Sequence, residues 1–189
     1  MIGVVLAAGD ATRMPNKLML HTPRNHPLLY GALEYVMRQC SYVVVVTKKD
    51  SIVETYLKQL RFKLDIRFQT HANGVVDAIS IANSKRVLVA FGDCYGYDML
   101  PNVYTNHATV VKGRETGMDG WDAINSKWVT RSARSRSHSF IGAFCCPRWN
   151  PSSGNLIKEF NDHSIVPQVT MTDIQDCGTP EGYLKIWQR

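Results

Sequence analysis

No Cys-x-x-Cys pair occurs in the chain, and its five cysteines, Cys40, Cys94, Cys145, Cys146 and Cys177, have no His-rich cluster beside them. This argues against a structural zinc site, and an odd number of thiols argues against a complete disulfide framework. The cytoplasm, a reducing compartment, is the simplest setting. No apolar run approaches the length needed to cross a bilayer. The apolar stretch from Ile2 to Ala8 has no basic leader and is too short for a signal-peptide core with its cleavage site, so no membrane partner is expected. Repeats, long linkers and low-complexity tracts are absent too. There is no convincing Ser/His/Asp or Cys/His arrangement for nucleophilic catalysis, and His21, His26 and His71 have no evident partners.

What is present suits one domain, residues 1–189, with a full core: 44% of the residues are hydrophobic and 10% aromatic. Lys and Arg outnumber Asp and Glu by 22 to 16, a net charge of +6 that suggests an anionic partner. Nucleotides, phosphosugars and nucleic acid all qualify, so charge alone does not choose among them.

The stretch Gly3 to Lys17 carries the sharpest signal. It opens as the apolar, β-branched run of a buried strand. It then breaks into the small residues Ala7, Ala8 and Gly9, and ends with two cations, Arg13 and Lys17. Small side chains after a strand let a ligand approach the backbone amides, and the cations add charge where those amides already favour an anion. The pattern predicts a strand running into a phosphate-binding loop.

The chain then alternates. A helix is expected over Pro27–Gln39, a buried strand over Tyr42–Thr47, and a helix from Asp50 or Ser51 through Leu60. A strand over Leu64–Phe68, a turn at Asn73-Gly74, a short helix over Val75–Asn83 and a strand over Arg86–Phe91 follow. Alternation of this kind predicts an α/β sheet with helices on both faces, whose ligands sit beyond the carboxyl ends of the strands, where Gly9 and Asp93 fall. Beyond Tyr95 the pattern loosens. Strands are expected over His107–Lys112, Lys127–Thr130, Phe140–Cys145 and Val166–Met171, with loops over Gly113–Gly120 and Pro147–Gly154. Leu156–Phe160 reads as helical, and Thr179-Pro180-Glu181 as the start of a terminal helix.

Leu6-Ala7-Ala8-Gly9-x-x-Thr12-Arg13-Met14, followed by Lys17 and the apolar Leu18-Met19-Leu20, resembles the opening motif of the nucleotidyltransferases that act on sugar phosphates and related alcohol phosphates. Ala11 stands where that family usually has Gly, and the gap from Arg13 to Lys17 is short. Leu88-Val89-Ala90-Phe91-Gly92-Asp93 resembles the family's strand ending in Gly-Asp, and Asp176-Cys177-Gly178-Thr179-Pro180-Glu181-Gly182-Tyr183-Leu184 resembles its closing Asp-x-Gly-Thr-Pro-Glu-x-Tyr-Leu segment. Gly74-Val75-Val76-Asp77-Ala78-Ile79 is similar to Gly-Thr-Ala-x-Ala-Leu, with Val75 in place of Thr or Ala. Taken singly, each has a plain reading: Asp93 as a turn residue, Thr-Pro-Glu as a helix cap, Gly74 as a turn-to-helix junction. Their co-occurrence in the family's order is what counts.

The resemblance implies a three-layer Rossmann-like α/β/α sandwich with a mixed, mainly parallel sheet. Residues 1–100 would form a nucleotide-binding half and 101–189 an acceptor-binding half. It implies a nucleoside triphosphate and a phosphorylated acceptor as partners, and Mg²⁺ as cofactor. Leu6, Ala7, Ala8, Gly9 and Gly74 would bind the nucleotide, Arg13 and Lys17 would be catalytic, and Asp93 and Asp176 would hold the metal. The family's acceptor-phosphate lysine lies in a Glu-Lys-Pro context that is missing here, and Arg131, Arg134 or Arg136 would take its place, since arginine grips phosphate with paired hydrogen bonds. Alternatively, the run Arg131–Arg136 is a solvated loop or a nucleic-acid contact on a non-catalytic fold, though it holds no stacking aromatics. A metal-dependent glycosyltransferase of the related fold is the other enzyme reading. Trp121, Trp128 and Trp149 are core, pocket wall or stacking surfaces.

Overall fold

The computed structural model describes residues 1–9, 13–70, 74–113, 119–171 and 174–188. Asp10 to Thr12 of the expected phosphate loop, His71, Asn73 of the expected turn, and residues 114–118 of the glycine-bearing loop lie outside the described residues.

In chain order the elements are β1 (Ile2–Leu6), α1 (Leu28–Met37), β2 (Val43–Thr47), α2 (Ile52–Gln59), β3 (Leu64–Phe68), α3 (Val75–Ser80), β4 (Val87–Phe91), β5 (Cys94–Tyr95), β6 (His107–Lys112), β7 (Gly120–Asp122), β8 (Lys127–Val129), β9 (His138–Cys146), α4 (Leu156–Asp162), β10 (Val166–Val169), β11 (Gln175–Asp176) and α5 (Pro180–Leu184). Single 3-10 turns follow β1 at Lys17–Met19 and continue α5 at Lys185–Trp187.

Among the described residues, nine strands form one mixed sheet, in the order β10-β6-β9-β4-β1-β2-β3, with β7 attached to β9 and β8 to β7. β1 lies parallel to both β2 and β4, and β2 to β3. β9 runs against β4 and β6, while β10 runs with β6, so every strand of the main path except β9 points the same way. The sheet is therefore mainly parallel, and the ends of β1 and β4 open on one edge.

The strands are apolar on both faces because helices cover both. Val5, Val43, Val45, Leu88 and Ala90 pack under α1 and α2, through Leu29, Leu33, Val36, Val53 and Leu57. Their neighbours in sequence, Val4, Val44, Val46, Val87 and Val89, pack on the other face against Val76 and Ile79 of α3 and Ile157 and Phe160 of α4. Alternate residues thus feed two cores, and the result is the three-layer sandwich. α2 begins at Ser51, whose hydroxyl accepts from the Glu54 N–H at 3.1 Å while the Glu54 carboxylate accepts from the Asp50 N–H at 2.6 Å. That reciprocal cap fixes where the chain turns after β2.

The first three helices are shorter than the periodicity predicts, while α4 runs past Phe160 to Asp162. α1 starts after Pro27, and α3 stops at Ser80 rather than Asn83. Two features depart further. Residues Gly120–Asp122, placed in or beside a loop by sequence, pair as β7 with β8 and β9. Cys94–Tyr95 and Gln175–Asp176 form a separate antiparallel pair, β5 with β11.

Candidate active site

Leu6 closes β1 between Val46 and Phe91, and Ala7, Ala8 and Gly9 continue past the sheet edge. They line a cavity of about 840 Å³ that also takes in Thr47, Gln69 and Gly74. Gly74 has φ of +90°, a conformation that favours glycine, and it leads directly into α3. The Gln69 amide donates to the Gly74 carbonyl at 3.1 Å and to the Asp77 carboxylate at 3.0 Å, holding this turn against β3. Nothing in the sequence singled out Gln69, since it sits one residue past a strand with no motif of its own.

Lys17 and Asp93 meet where this cavity joins a second one. The Lys17 ammonium donates to Asp93 Oδ2 at 2.5 Å, with side chains only 15% and 21% exposed. Gly92 lets Asp93 turn away from the sheet, because a Cβ there would come within 2.9 Å of the Leu6 carbonyl oxygen. The end of β4 is also tied down by Tyr97, a buried residue whose hydroxyl accepts from the Phe91 N–H at 3.0 Å and lies 2.6 Å from the Gly142 carbonyl on β9. Tyr97 too carried no sequence motif.

Asp176 reaches the same place through β5 and β11. Asp176 pairs with Cys94, and the Cys177 N–H donates to the Asp93 carbonyl at 2.8 Å. A Cβ built on Gly178 would lie 3.0 Å from Asp176 Oδ1 and 3.7 Å from Asp93 Oδ2. The two carboxylates therefore border one small space that glycine leaves clear. Burial pushes the Asp176 carboxyl above its ordinary pKa, the Gly178 N–H opposes that, Asp93 adds to the rise, and Lys17 and Arg13 counter it. Arg13, Lys17, Asp93 and Asp176 all line one cavity. Two carboxylates bordering a shared gap are a donor set that fits a hard divalent cation such as Mg²⁺, which completes its shell with water and phosphate oxygens.

The second cavity, about 440 Å³, is lined by Arg13, Lys17, Asp93 and Asp176 and extends to Arg131 and the C-terminal helix. Of the three arginines proposed for an acceptor phosphate, Arg131 lines this cavity. Its own N–H donates to Asp119 Oδ1 at 2.8 Å, which fixes the backbone there. Arg134 is exposed and outside the cavity lining, and Arg136 is buried with its aliphatic stem packed over Gly120 of β7. The structure thus brings Arg131 to this cavity and neither of the other two: β7, unseen in the sequence, covers the stem of Arg136. The run also fails to present a continuous basic face. Trp128 and Trp149 are buried core residues, and the half-buried Trp121 packs edge-on against Trp128; none of the three lines either cavity.

All five cysteines are buried and unpaired. Burial pushes the Cys177 thiol up to about 12, and the Cys94 thiol rises for the same reason, so the two thiols beside the site are protonated near neutrality and unsuited to act as nucleophiles. Among the described residues, no helix is long and apolar enough to cross a membrane.

A parallel sheet edge with a small-residue turn, two cations and two carboxylates suits an α/β protein of the nucleotidyltransferase class. Residues 3–109 match the MobA-like NTP transferase domain, and the chain belongs to that family. No curated protein matches it in sequence. Among solved structures, a candidate glucose-1-phosphate thymidylyltransferase from Bacillus anthracis, in complex with sucrose, is similar over 98% of this chain and 94% of its own, with a TM-score of 0.76 and 15% identity. HddC from Yersinia pseudotuberculosis is similar over 99% and 98%, with a TM-score of 0.69 and 19% identity. UDP-glucose pyrophosphorylase from Acinetobacter baumannii is similar over 98% and 92%, with a TM-score of 0.70 and 18% identity. At such identities the likeness establishes the fold.

Proposed function

We propose that this chain transfers a nucleoside monophosphate from a nucleoside triphosphate to a small phosphorylated acceptor, a sugar 1-phosphate in the first instance, and releases pyrophosphate. One observation carries the reading: two cavities of ligand size meet at Lys17 and Asp93, and the smaller is also lined by Asp176 and Arg13. The larger would hold the nucleoside, against the Leu6–Gly9 backbone and Gly74. The smaller would hold the acceptor.

An oxygen of the acceptor's phosphate attacks the α-phosphorus, the bond to the β-phosphate bridge oxygen breaks, and pyrophosphate departs. A phosphate monoester is already largely ionised at neutral pH, so no general base is needed. The difficulty is that two polyanions must come together in line, which makes positioning and charge neutralisation the whole of the catalytic task. Arg13 would grip the leaving β- and γ-phosphates. Lys17 would move its hydrogen bond from Asp93 to the phosphate oxygens at the reacting centre. Mg²⁺, held by Asp93 and Asp176, would neutralise phosphate charge there.

The test is a pyrophosphate-release screen of the four NTPs and dTTP against phosphorylated sugars and alcohols, with Mg²⁺ present. Release that depends on both partners, and is lost in Asp93→Ala and Lys17→Ala proteins that remain folded, supports the reading. Wild-type rates in either variant would refute the assignment of those residues.

A further inference from the structure

The acceptor cavity has a wall whose chemistry the sequence motifs leave unassigned. α5 and the 3-10 turn that continues it line the cavity through Glu181, Gly182 and Lys185, just after Gly178 and the cap Thr179, which line it too. That spacing is one face of a helix. Its start is fixed: β11, just before it, is paired to β5, and the Thr179 hydroxyl caps α5 by accepting from the Gly182 N–H at 3.2 Å, with Pro180 in the first turn. Among the described residues neither Glu181 nor Lys185 has an ion-pair or side-chain hydrogen-bond partner, although they stand one turn apart. Both side chains are exposed and border a cavity that also has Arg131 in its lining.

The charge requirements of the reaction give these residues a task. Arg13 and Lys17 are committed to the triphosphate and the reacting centre, and Asp93 and Asp176 add negative charge beside the incoming acceptor. An acceptor phosphate needs cations of its own, on the side of the cavity away from the nucleotide. Arg131, with a backbone pinned by Asp119, supplies a planar fork, and Lys185 supplies a mobile point charge.

We propose that Lys185 and Arg131 together grip the acceptor's phosphate, and that Glu181 accepts hydrogen bonds from the acceptor's hydroxyl groups, so that the C-terminal helix selects a small hydroxyl-bearing phosphate monoester. This rests on the nucleotidyl-transfer reading above. It accounts for the missing Glu-Lys-Pro segment: the carboxylate and the ammonium are delivered from the end of the chain instead.

The experiment is calorimetric titration of glucose 1-phosphate, glycerol 3-phosphate and ethyl phosphate into the full chain bearing a non-hydrolysable nucleoside triphosphate, alongside steady-state kinetics. Lys185→Gln is expected to weaken the binding of all three phosphates about tenfold or more and to raise the acceptor KM to match, while nucleotide affinity stays within about twofold. Lys185→Arg restores most of the loss. Glu181→Gln weakens the two hydroxylated ligands and leaves ethyl phosphate unchanged. Arg134→Gln, which removes the same charge outside the cavity, changes nothing. Equal weakening by Lys185→Gln and Arg134→Gln would reduce the effect to general surface charge and overturn the proposal. So would an equal loss of nucleotide affinity, or a wild-type protein that binds none of the three phosphates. If the binding shifts appear but no pyrophosphate is released, the nucleotidyl-transfer reading falls while the phosphate grip stands. If turnover is normal and Lys185→Gln leaves the acceptor KM unchanged, the grip alone falls.

Discussion

Lys17 bonded to Asp93 sets up a quantitative expectation. The pair is 2.5 Å apart, with side-chain exposures of 15% and 21%, so water screens it only in part. Unit charges about 4 Å apart attract by about 4 kcal/mol at an effective dielectric near 20, and breaking a fully buried pair by deleting one partner costs about 3–5 kcal/mol. Partial exposure and the nearby Arg13 reduce that figure here. Lys17→Met is therefore expected to destabilise the free protein by about 2–3 kcal/mol, most of it the penalty of leaving Asp93 beside Asp176 without a cation. For a chain of this size that corresponds to a fall in Tm of about 5–10 °C. A double-mutant cycle with Asp93→Asn, measured by urea unfolding, should return a coupling energy of about 2 kcal/mol. The same variant should bind Mn²⁺ without nucleotide about tenfold more tightly, because an ammonium no longer competes for the carboxylate. Paramagnetic resonance of free Mn²⁺ reads this directly. A coupling below about 0.5 kcal/mol, together with unchanged Mn²⁺ affinity, would refute the reasoning, for the pair would then behave as an ordinary surface contact.

Other perturbations separate function from stability. Asp176 has a raised pKa in the folded state, so the stability it contributes is fully present below its ordinary value of 3.8 and is lost as pH rises through the folded value. Asp176→Asn, which keeps an oxygen for the Gly178 N–H, should thus be more stable than the wild type at pH 7, with the difference closing below about pH 4, while catalysis is abolished. Asp122 behaves oppositely. The Asn125 side chain and then Ser135 hold its carboxyl down to about 2, so its contribution is present above 3.8 and lost as pH falls toward 2. Asp122→Asn should flatten the acid limb of the stability curve and leave neutral-pH kinetics alone. Thr179→Ala removes the α5 cap and should cost about 0.5–2 kcal/mol, with an acceptor KM raised more than the nucleotide KM.

How much of this was legible follows from what each part depends on locally. β1, β2 and β4 are continuous β-branched runs, and a buried parallel strand needs little else. The position of Asp93 at a strand end followed from that alone, and Gly9 with it. The meeting of Asp93 with Asp176 did not. It depends on β5 and β11, two residues each, too short for any periodicity to register. Only the family resemblance anticipated it. β7 is equally short, and without it Arg136 reads as one more exposed arginine in a basic run; the strand packed on its stem is what buries it. Glu181 and Lys185 are ordinary helix-surface residues in sequence, and only the docking of α5 beside Asp176 turns their shared face toward the cavity.

The most direct test is phosphorus NMR of the wild-type protein with a nucleoside triphosphate, a sugar 1-phosphate and Mg²⁺. The account predicts a new pair of coupled diphosphate signals joining nucleoside to sugar, growing in step with pyrophosphate and absent when either substrate is omitted. Pyrophosphate or orthophosphate appearing at the same rate without the acceptor, or no new diphosphate with any phosphorylated acceptor, would contradict it.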